Sequence, residues 1–528
     1  MKRILLSLTV LSVGTFGAAG AVLAASPSQG LRGLDGEVLS QVTTYAGNGD
    51  FKELNGAALS ASFRAPEGIA VASDGTVYIS DSINHLIRQI KNGQVTTYAG
   101  ITLTLDDSGL PEGTLVDGTA KTSVFQKPAG LALDAKGNLY VADAGNHAIR
   151  KISANGRVTT IAGDGVLGSQ DGKGEKARLF GPQDVAVAED GTIYVADTLN
   201  HLIRKIDTEG NVTTLNAASD RIVEVIPGAV ETAGDFKDGA LSEAKFNEPT
   251  SIALDAKGNL YVSDSGNQLI RYVDLKAGTV STVAGVVRDN MYESNALYAA
   301  SGYADGIAEE AEFNYPRGIS LTKEGGLVII DSLNHTVRYL LDGHVTTIAG
   351  DNTGEFGETN GIEGYNSFHT PADSAVLPDD RILVVDSLNN VIRTYALYQH
   401  PAGLEKDGEL HVTFNGALVE FDTKLEMKNY RTMVPVSAVG KAFGYDVVYE
   451  KGFITMTKGD TMLELIPGKA EITSKTGDGE PVVTTIDVAP YIKDDRTYVP
   501  IRFFSEQFGL DVEWDAATQT VILREKTQ

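Results

Sequence analysis

Cysteine is absent from all 528 residues. No disulfide framework and no thiolate metal site can form, so stability has to come from packing alone. Lipid anchoring on a cysteine at a cleavage site is excluded as well. Positive charge is in short supply: 44 Lys and Arg stand against 70 Asp and Glu, a formal net charge of −26. A phosphate-backbone partner needs clustered Lys and Arg, which excludes nucleic acid as a partner. Cations, basic partners or simple solubility fit the balance. Long apolar runs are missing beyond residue 22, so the mature chain is expected to carry no transmembrane segment. The single run, Ile4 to about Val22, follows Lys2 and Arg3 and ends in Val22-Leu23-Ala24. That layout predicts a signal peptide over 1–24, cleaved before Ala25. The expected location is secreted or extracellular, with cell-wall association a further reading. A secreted chain without disulfides fits a bacterium, especially one without an outer membrane.

What remains is a globular composition, 42% apolar and 22% charged, with 57 glycines. Internal self-similarity organises it. One block recurs six times: DSINHLIRQI (81–90), DAGNHAIRKI (143–152), DTLNHLIRKI (197–206), DSGNQLIRYV (264–273), DSLNHTVRYL (331–340) and DSLNNVIRTY (386–395). Before each copy stand two β-patterned segments joined by a hairpin turn, as in GLALDAKGNLYVA (130–142). After it comes a further strand, as in RVTTIAG (157–163). A four-stranded unit, with strands a to d, repeated six times is the pattern of a six-bladed β-propeller. The sixth unit lacks its d strand, and QVTTYAG (41–47) stands alone before the first a strand. Residues 41–47 are therefore expected to close blade six and remove the free sheet edge.

The DxxNHxIRxI block resembles the NHL repeat, with Asn-His-Leu intact at Asn84-His85-Leu86 and Asn200-His201-Leu202. The resemblance covers 41–398 and implies a mainly β fold. It says little about function, because such propellers serve both as binding platforms and as enzymes. Asp81, Asp143, Asp197, Asp264, Asp331 and Asp386 recur without exception, as do Arg88, Arg150, Arg204, Arg271, Arg338 and Arg393. Residues common to all blades read as structural. The Asp is expected to cap the amides of the b–c turn, and the Arg to pair with a carboxylate or carbonyl. His85, His147, His201 and His335 read as turn residues, since equivalent turns lie too far apart around a ring to share a metal.

The d–a connections are long and uneven, and loops of that length are often functional. Residues 286–312 hold Asp289, Glu293, Asp305, Glu309, Glu310 and Glu312; residues 351–367 hold Asp351, Glu355, Glu358 and Glu363. This face reads either as an acidic recognition surface or as a solvated surface of an acidic protein. Positions just after the proline that opens strand a vary between blades. Among them Glu67, Gln183, Asp184, Arg317 and Asp373 are expected to ring the mouth of the axial channel as a small-ligand or cation site, or to line a water-filled opening. Related propellers include lyases and lactonases with an axial metal, but no histidine triad stands at this mouth. No cofactor is called; calcium or another divalent cation on Glu67, Asp184 and Asp373 stays open.

Residues 25–40 and 399–407 read as linkers. Beyond the second lies a repeat of period 65: RTMVPVSAVGKAFGYDVVYE (431–450) matches RTYVPIRFFSEQFGLDVEWD (496–515). Each half predicts a strand and then a short helix, one with Val436, Val439 and Phe443 on its face, the other with Ile501, Phe504 and Phe508. The predicted domain, 408–528, is small and α+β, with two similar halves. It resembles the domain named after the N-terminal part of copper amine oxidases, also called a stalk domain, which implies a non-catalytic module for attachment. The resemblance does not bring copper, since only His411 lies in the segment. The function expected is a binding or scaffold protein of the cell envelope, for a protein, peptide or glycan. The alternative is a metal-dependent lyase or lactonase with its site at the channel mouth.

Overall fold

The computed structural model describes residues 26–351, 353–450, 452–502 and 508–526. The expected signal peptide and Phe504 lie outside them. The chain is mainly β. Residues 40–397 form six sheets around one axis, each innermost strand packed against its two neighbours. Blade one runs Pro66–Val71, Val77–Asp81, Leu86–Lys91 and Gln94–Ala99, and blades two to five repeat the order. Blade six takes Pro371–Val376, Ile382–Asp386 and Val391–Leu397 from one stretch of chain and Ser40–Ala46 from another, with Val42 opposite Tyr395. Alternate residues of the two faces fill the gaps between blades, as Ile79, Ile90 and Val95 do against Leu383 and Val385.

Each blade has a fifth strand that the repeat alone does not announce. Gly56–Ala57, Gly118–Thr119, Gly172–Lys173, Gly239–Ala240, Gly306–Ile307 and Gly361–Ile362 each add two residues to the outer edge of the d strand. The residue before that glycine meets the frame arginine. Asp117 accepts from Arg150 at 2.9 Å and also from the backbone N–H of Thr160 on the outer strand. Asp171, Asp238 and Asp305 repeat the arrangement, and Asn55 and Asn360 stand in the other two blades. The sheet edge is thereby covered over two residues and capped beside them.

The frame aspartates do not cap the b–c turn. Asp143 takes the backbone N–H of Gln126 (2.7 Å) on the loop that enters strand a, the side chain of Asn146 (2.8 Å) and the guanidinium of Arg150 (2.7 Å). The turn itself is a short 3-10 segment, Ala144–Asn146, closed by His147 in the left-handed region. Its equivalents are His85, His201, Gln268, His335 and Asn390. Their side chains face the next blade. His85 Nδ1 accepts the backbone N–H of Lys127 (3.0 Å), His147 that of Gly181, His201 that of Glu248, Gln268 that of Tyr315 and His335 that of Thr370. Asn390 completes the circuit by accepting from Ala65 at 3.0 Å. A ring nitrogen that accepts a backbone N–H is not free for a metal.

The stretches read as linkers are tied down. Ser26 and Ser28 bond Glu324 of blade five, and the Leu34 N–H donates to Glu513 of the C-terminal domain (2.6 Å). His400 meets Asp515 at 2.9 Å. In the C-terminal domain the equivalent strands of the two halves, Arg431–Pro435 and Arg496–Pro500, pair antiparallel. Val436–Ala442 is helical, ended by Gly444 at φ +75°, and packs on one core with Val434, Ile454, Val499, Ile501 and Leu523. The last strand, Thr520–Glu525, runs on to blade six. Arg524 pairs with Glu363, whose carboxylate also receives the Ser40 N–H (2.7 Å), and the Ile362 N–H donates to the Lys526 carbonyl (3.3 Å).

Two outcomes are expected. Deleting 41–47 exposes the edge of Val391–Leu397 and should lower the melting temperature of the propeller; unchanged melting would show that blade six holds without its closing strand. Burial lowers His201 to about 4 from an ordinary 6.5. Stability from keeping it neutral is complete above pH 6.5 and is lost as pH falls towards 4, by at most about 3 kcal/mol at 1.36 kcal/mol per pH unit. His201→Gln, the residue blade four already uses, should flatten that acid loss in urea unfolding between pH 7 and 4; an unaltered pH profile would refute the assignment.

Candidate functional site

Strand a opens on a proline in five blades and follows Pro182 by two residues in blade three, and the residue before the proline is left-handed in all six: Ala65, Lys127, Gly181, Glu248, Tyr315 and Thr370, with φ between 42° and 57°. Proline disfavours helical backbone in its predecessor and L residues rarely adopt positive φ, so five non-glycine residues carry strain here. The inter-blade bond to His, Gln or Asn of the preceding turn holds them in place. Four of them, Lys127, Gly181, Glu248 and Tyr315, line a cavity of about 520 Å³ on the face that carries the b–c turns.

Glu67, Gln183 and Arg317, one residue beyond the proline, line the wall of this cavity with Ala129 and Thr250. Arg317 forms an ion pair with Glu67. Asp184 and Asp373 sit one residue deeper, in a neck of about 20 Å³ that all five predicted residues share. The axial channel is therefore closed at this level. Glycine makes the closure: a Cβ on Gly68 would lie 2.3 Å from the Ala129 carbonyl, and one on Gly130 2.1 Å from Asp184. The two aspartates are committed to backbone. Asp184 accepts from Ile252 N–H (2.9 Å), Ser251 Oγ (2.8 Å) and Val185 N–H (2.8 Å); Asp373 accepts from Ile69 N–H (3.0 Å) and Ser374 N–H (2.8 Å). With Glu67 given to Arg317, the three carboxylates do not make one free ligand set. Among the described residues no group of three or more His, Asp or Glu is placed to hold a metal ion.

Burial raises both buried carboxyls. Asp184 is pushed up to about 6, and Asp373 well above the usual range by burial and then by the charge of Asp184.

The residues before the proline supply groups that the sequence reading passed over. The Glu248 carboxylate accepts from Tyr315 Oη (2.6 Å) and from Tyr298 Oη (3.1 Å) of the 286–312 loop. Lys127 faces the same cavity and has no ion pair among the described residues. Their signal was available, since each stands directly before an aligned proline. The acidic loops contribute less than their composition suggests: Asp305 serves Arg338, Glu312 pairs with Arg288, and Glu363 pairs with Arg524. In the C-terminal domain His411 contacts Asp407 (3.0 Å) and is the only histidine there, a donor set that does not fit a copper centre.

Comparison with known proteins finds NHL repeats at 63–90, 125–152, 181–206 and 246–271, and a copper amine oxidase N-terminal domain at 413–523. The chain is 32% identical over 287 residues to the protein SUPPRESSOR OF QUENCHING 1, chloroplastic, of Arabidopsis thaliana, covering 52% of this chain and 26% of that protein. It is 28% identical over 335 residues to human NHL repeat-containing protein 2, covering 59% and 43%. The chain thus spans less than half the length of these relatives. A solved structure from Bacteroides thetaiotaomicron, described as a structural genomics protein of unknown function, is 19% identical with a TM-score of 0.48, covering 68% of this chain and 76% of that one.

Carboxyl ¹³C NMR should show Asp373 titrating clearly above the ordinary carboxylate range, and Asp184→Asn should bring it down. An Asp373 midpoint near 4 in the intact protein would contradict the facing pair.

Proposed function

We propose that the chain is a binding protein whose propeller holds a small polar ligand in the cup at its axis. The observation that carries this reading is the convergence of Glu67, Gln183, Arg317, Lys127 and Glu248 on one cavity of about 520 Å³ with a closed floor. A concave site with a few fixed polar groups is the ordinary form of a small-molecule site. Glu67 is paired with Arg317, and Asp184 and Asp373 are hydrogen-bonded to backbone, which favours a binding role for the cup over a metal-dependent lyase or lactonase site on those carboxylates. The C-terminal domain is a non-catalytic module, and the protein works in the cell envelope of a bacterium or outside it, where the N-terminal basic and apolar run would direct it.

The test is a ligand panel run on the purified protein and on an Ile83→Trp/Leu199→Trp variant. Both side chains line the cup on b–c turns. The panel comprises amino acids, short peptides, sugars, peptidoglycan fragments, organic acids, Ca²⁺ and Zn²⁺, read by thermal shift and calorimetry. A ligand at a hundredfold excess over its Kd stabilises by about 2.7 kcal/mol. The expected result is stabilisation by a small polar compound that the double variant loses. Equal stabilisation of both proteins would place the site elsewhere and overturn the reading.

A further inference from the structure

The cup holds two charges without an ion-pair partner among the described residues, and they are of opposite sign. Arg317 and Glu67 neutralise one another. Glu248 has hydrogen bonds but no cationic partner among the described residues, and Lys127, two blades away on the same ring, has no anionic one.

The surroundings of Glu248 are built with care. An ionised carboxylate only accepts, so Tyr298 and Tyr315 both donate to it, and together they occupy part of its four lone-pair sites. Glu248 itself lines the cup. Tyr315 is held left-handed at the next position of the ring, and Tyr298 meets it edge to face at 5.8 Å between ring centres. Tyr298 is 40% exposed, yet the loop that delivers it is fastened on both sides. Arg221 lies 3.6 Å from the centre of the Tyr292 ring and donates to the carbonyl of Leu297 at 2.7 Å. Asn247 donates to the same Leu297 carbonyl (2.8 Å), and the Ala299 N–H donates to Gly266 (2.8 Å). A long loop is thus stapled at 297 and 299 to present residue 298. A carboxylate of the cup that receives only two phenol O–H groups keeps acceptor capacity for an ammonium group, which charge and hydrogen bonding together favour.

We infer that the ligand of the cup is a zwitterion of the amino-acid type, a free amino acid or a short peptide with both ends free, its ammonium on Glu248 beside Tyr315 and its carboxylate on Lys127. Gln183, in the blade between Glu248 and Lys127, offers an amide to the middle of such a ligand. The inference rests on the reading that the cup is the binding site.

Calorimetry on the full chain with glycylglycine, L-leucine, L-lysine and L-glutamate tests it, each beside its N-acetylated and its C-amidated form. Binding of at least one free zwitterion is expected, weakened tenfold or more by either block. Glu248→Gln, which keeps an acceptor for both tyrosines, should lose the preference for a free amine over the N-acetyl form. Lys127→Met should lose only the preference for a free carboxylate. Both variants should melt like the wild type. Equal binding of free and blocked forms, or unchanged selectivity in Glu248→Gln, overturns the inference. A neutral sugar that binds and is expelled by Ile83→Trp/Leu199→Trp would overturn it too, while leaving the cup as the site. If none of these probes binds the cup, both readings fall.

Discussion

A guanidinium with no access to water has to find acceptors for all of its N–H groups, or the burial costs several kcal/mol. In this propeller that demand is met for the terminal nitrogens once per blade, while the Nε of Arg88, Arg150 and Arg204 is buried without an acceptor among the described residues, and much of the architecture answers to it. Arg88, Arg150, Arg204, Arg271 and Arg338 have fully buried side chains. Each is given the buried aspartate of strand b, a backbone carbonyl, and the Asp or Asn that directly precedes the outermost strand. In four blades a phenylalanine covers the flat face, as Phe125 covers Arg150 at 4.9 Å and Phe313 covers Arg338 at 5.2 Å. One side chain therefore joins the inner strands, the outer edge and the incoming loop of its blade.

The blades are then joined to one another by a weaker and more local device. A turn residue with a left-handed backbone reaches across to the N–H of a second left-handed residue in the next blade. This fixes the direction in which the chain enters strand a, and so fixes what lies at the axis. The cup is a by-product of that entry. The bond uses only the backbone of the residue before the proline, which leaves its side chain free to differ between blades. Blade two places a lysine there, blade four a glutamate and blade five a tyrosine. The frame spends its conserved chemistry on turns and ion pairs, and variation collects at the mouth.

Blade number, strand order and the two-halved C-terminal domain were legible in the primary structure because each rests on repetition at a fixed interval. The Asp/Asn-Gly pair 33 residues before every frame arginine was equally regular, from Asn55 and Arg88 to Asn360 and Arg393. The unequal loops in which it stands mask that regularity. Of the site, the ring after the proline was readable from alignment of the blades. The ring before it was not, since its place at the mouth depends on a positive φ that residue type does not announce for Lys127, Glu248 or Tyr315. Contacts such as Glu363 with Arg524, separated by 161 positions and spanning two domains, leave no periodic trace at all.

Blade six gathers features that the other blades keep apart. Its closing strand comes from the beginning of the described chain, its edge is continued by the end of it, and the segment 26–39 straps blade five to the C-terminal domain on the way. A load applied through the C-terminal domain would pass first into Arg524, Glu363 and the Ile362–Lys526 bond, and from there into Ser40. The strand that carries Ser40 lies antiparallel to its neighbour with hydrogen bonds side by side, so a pull along its axis would be resisted by many bonds in shear rather than by one at a time. In mechanical terms the propeller is gripped at its seam, and the seam is where a tether would draw it shut or tear it open.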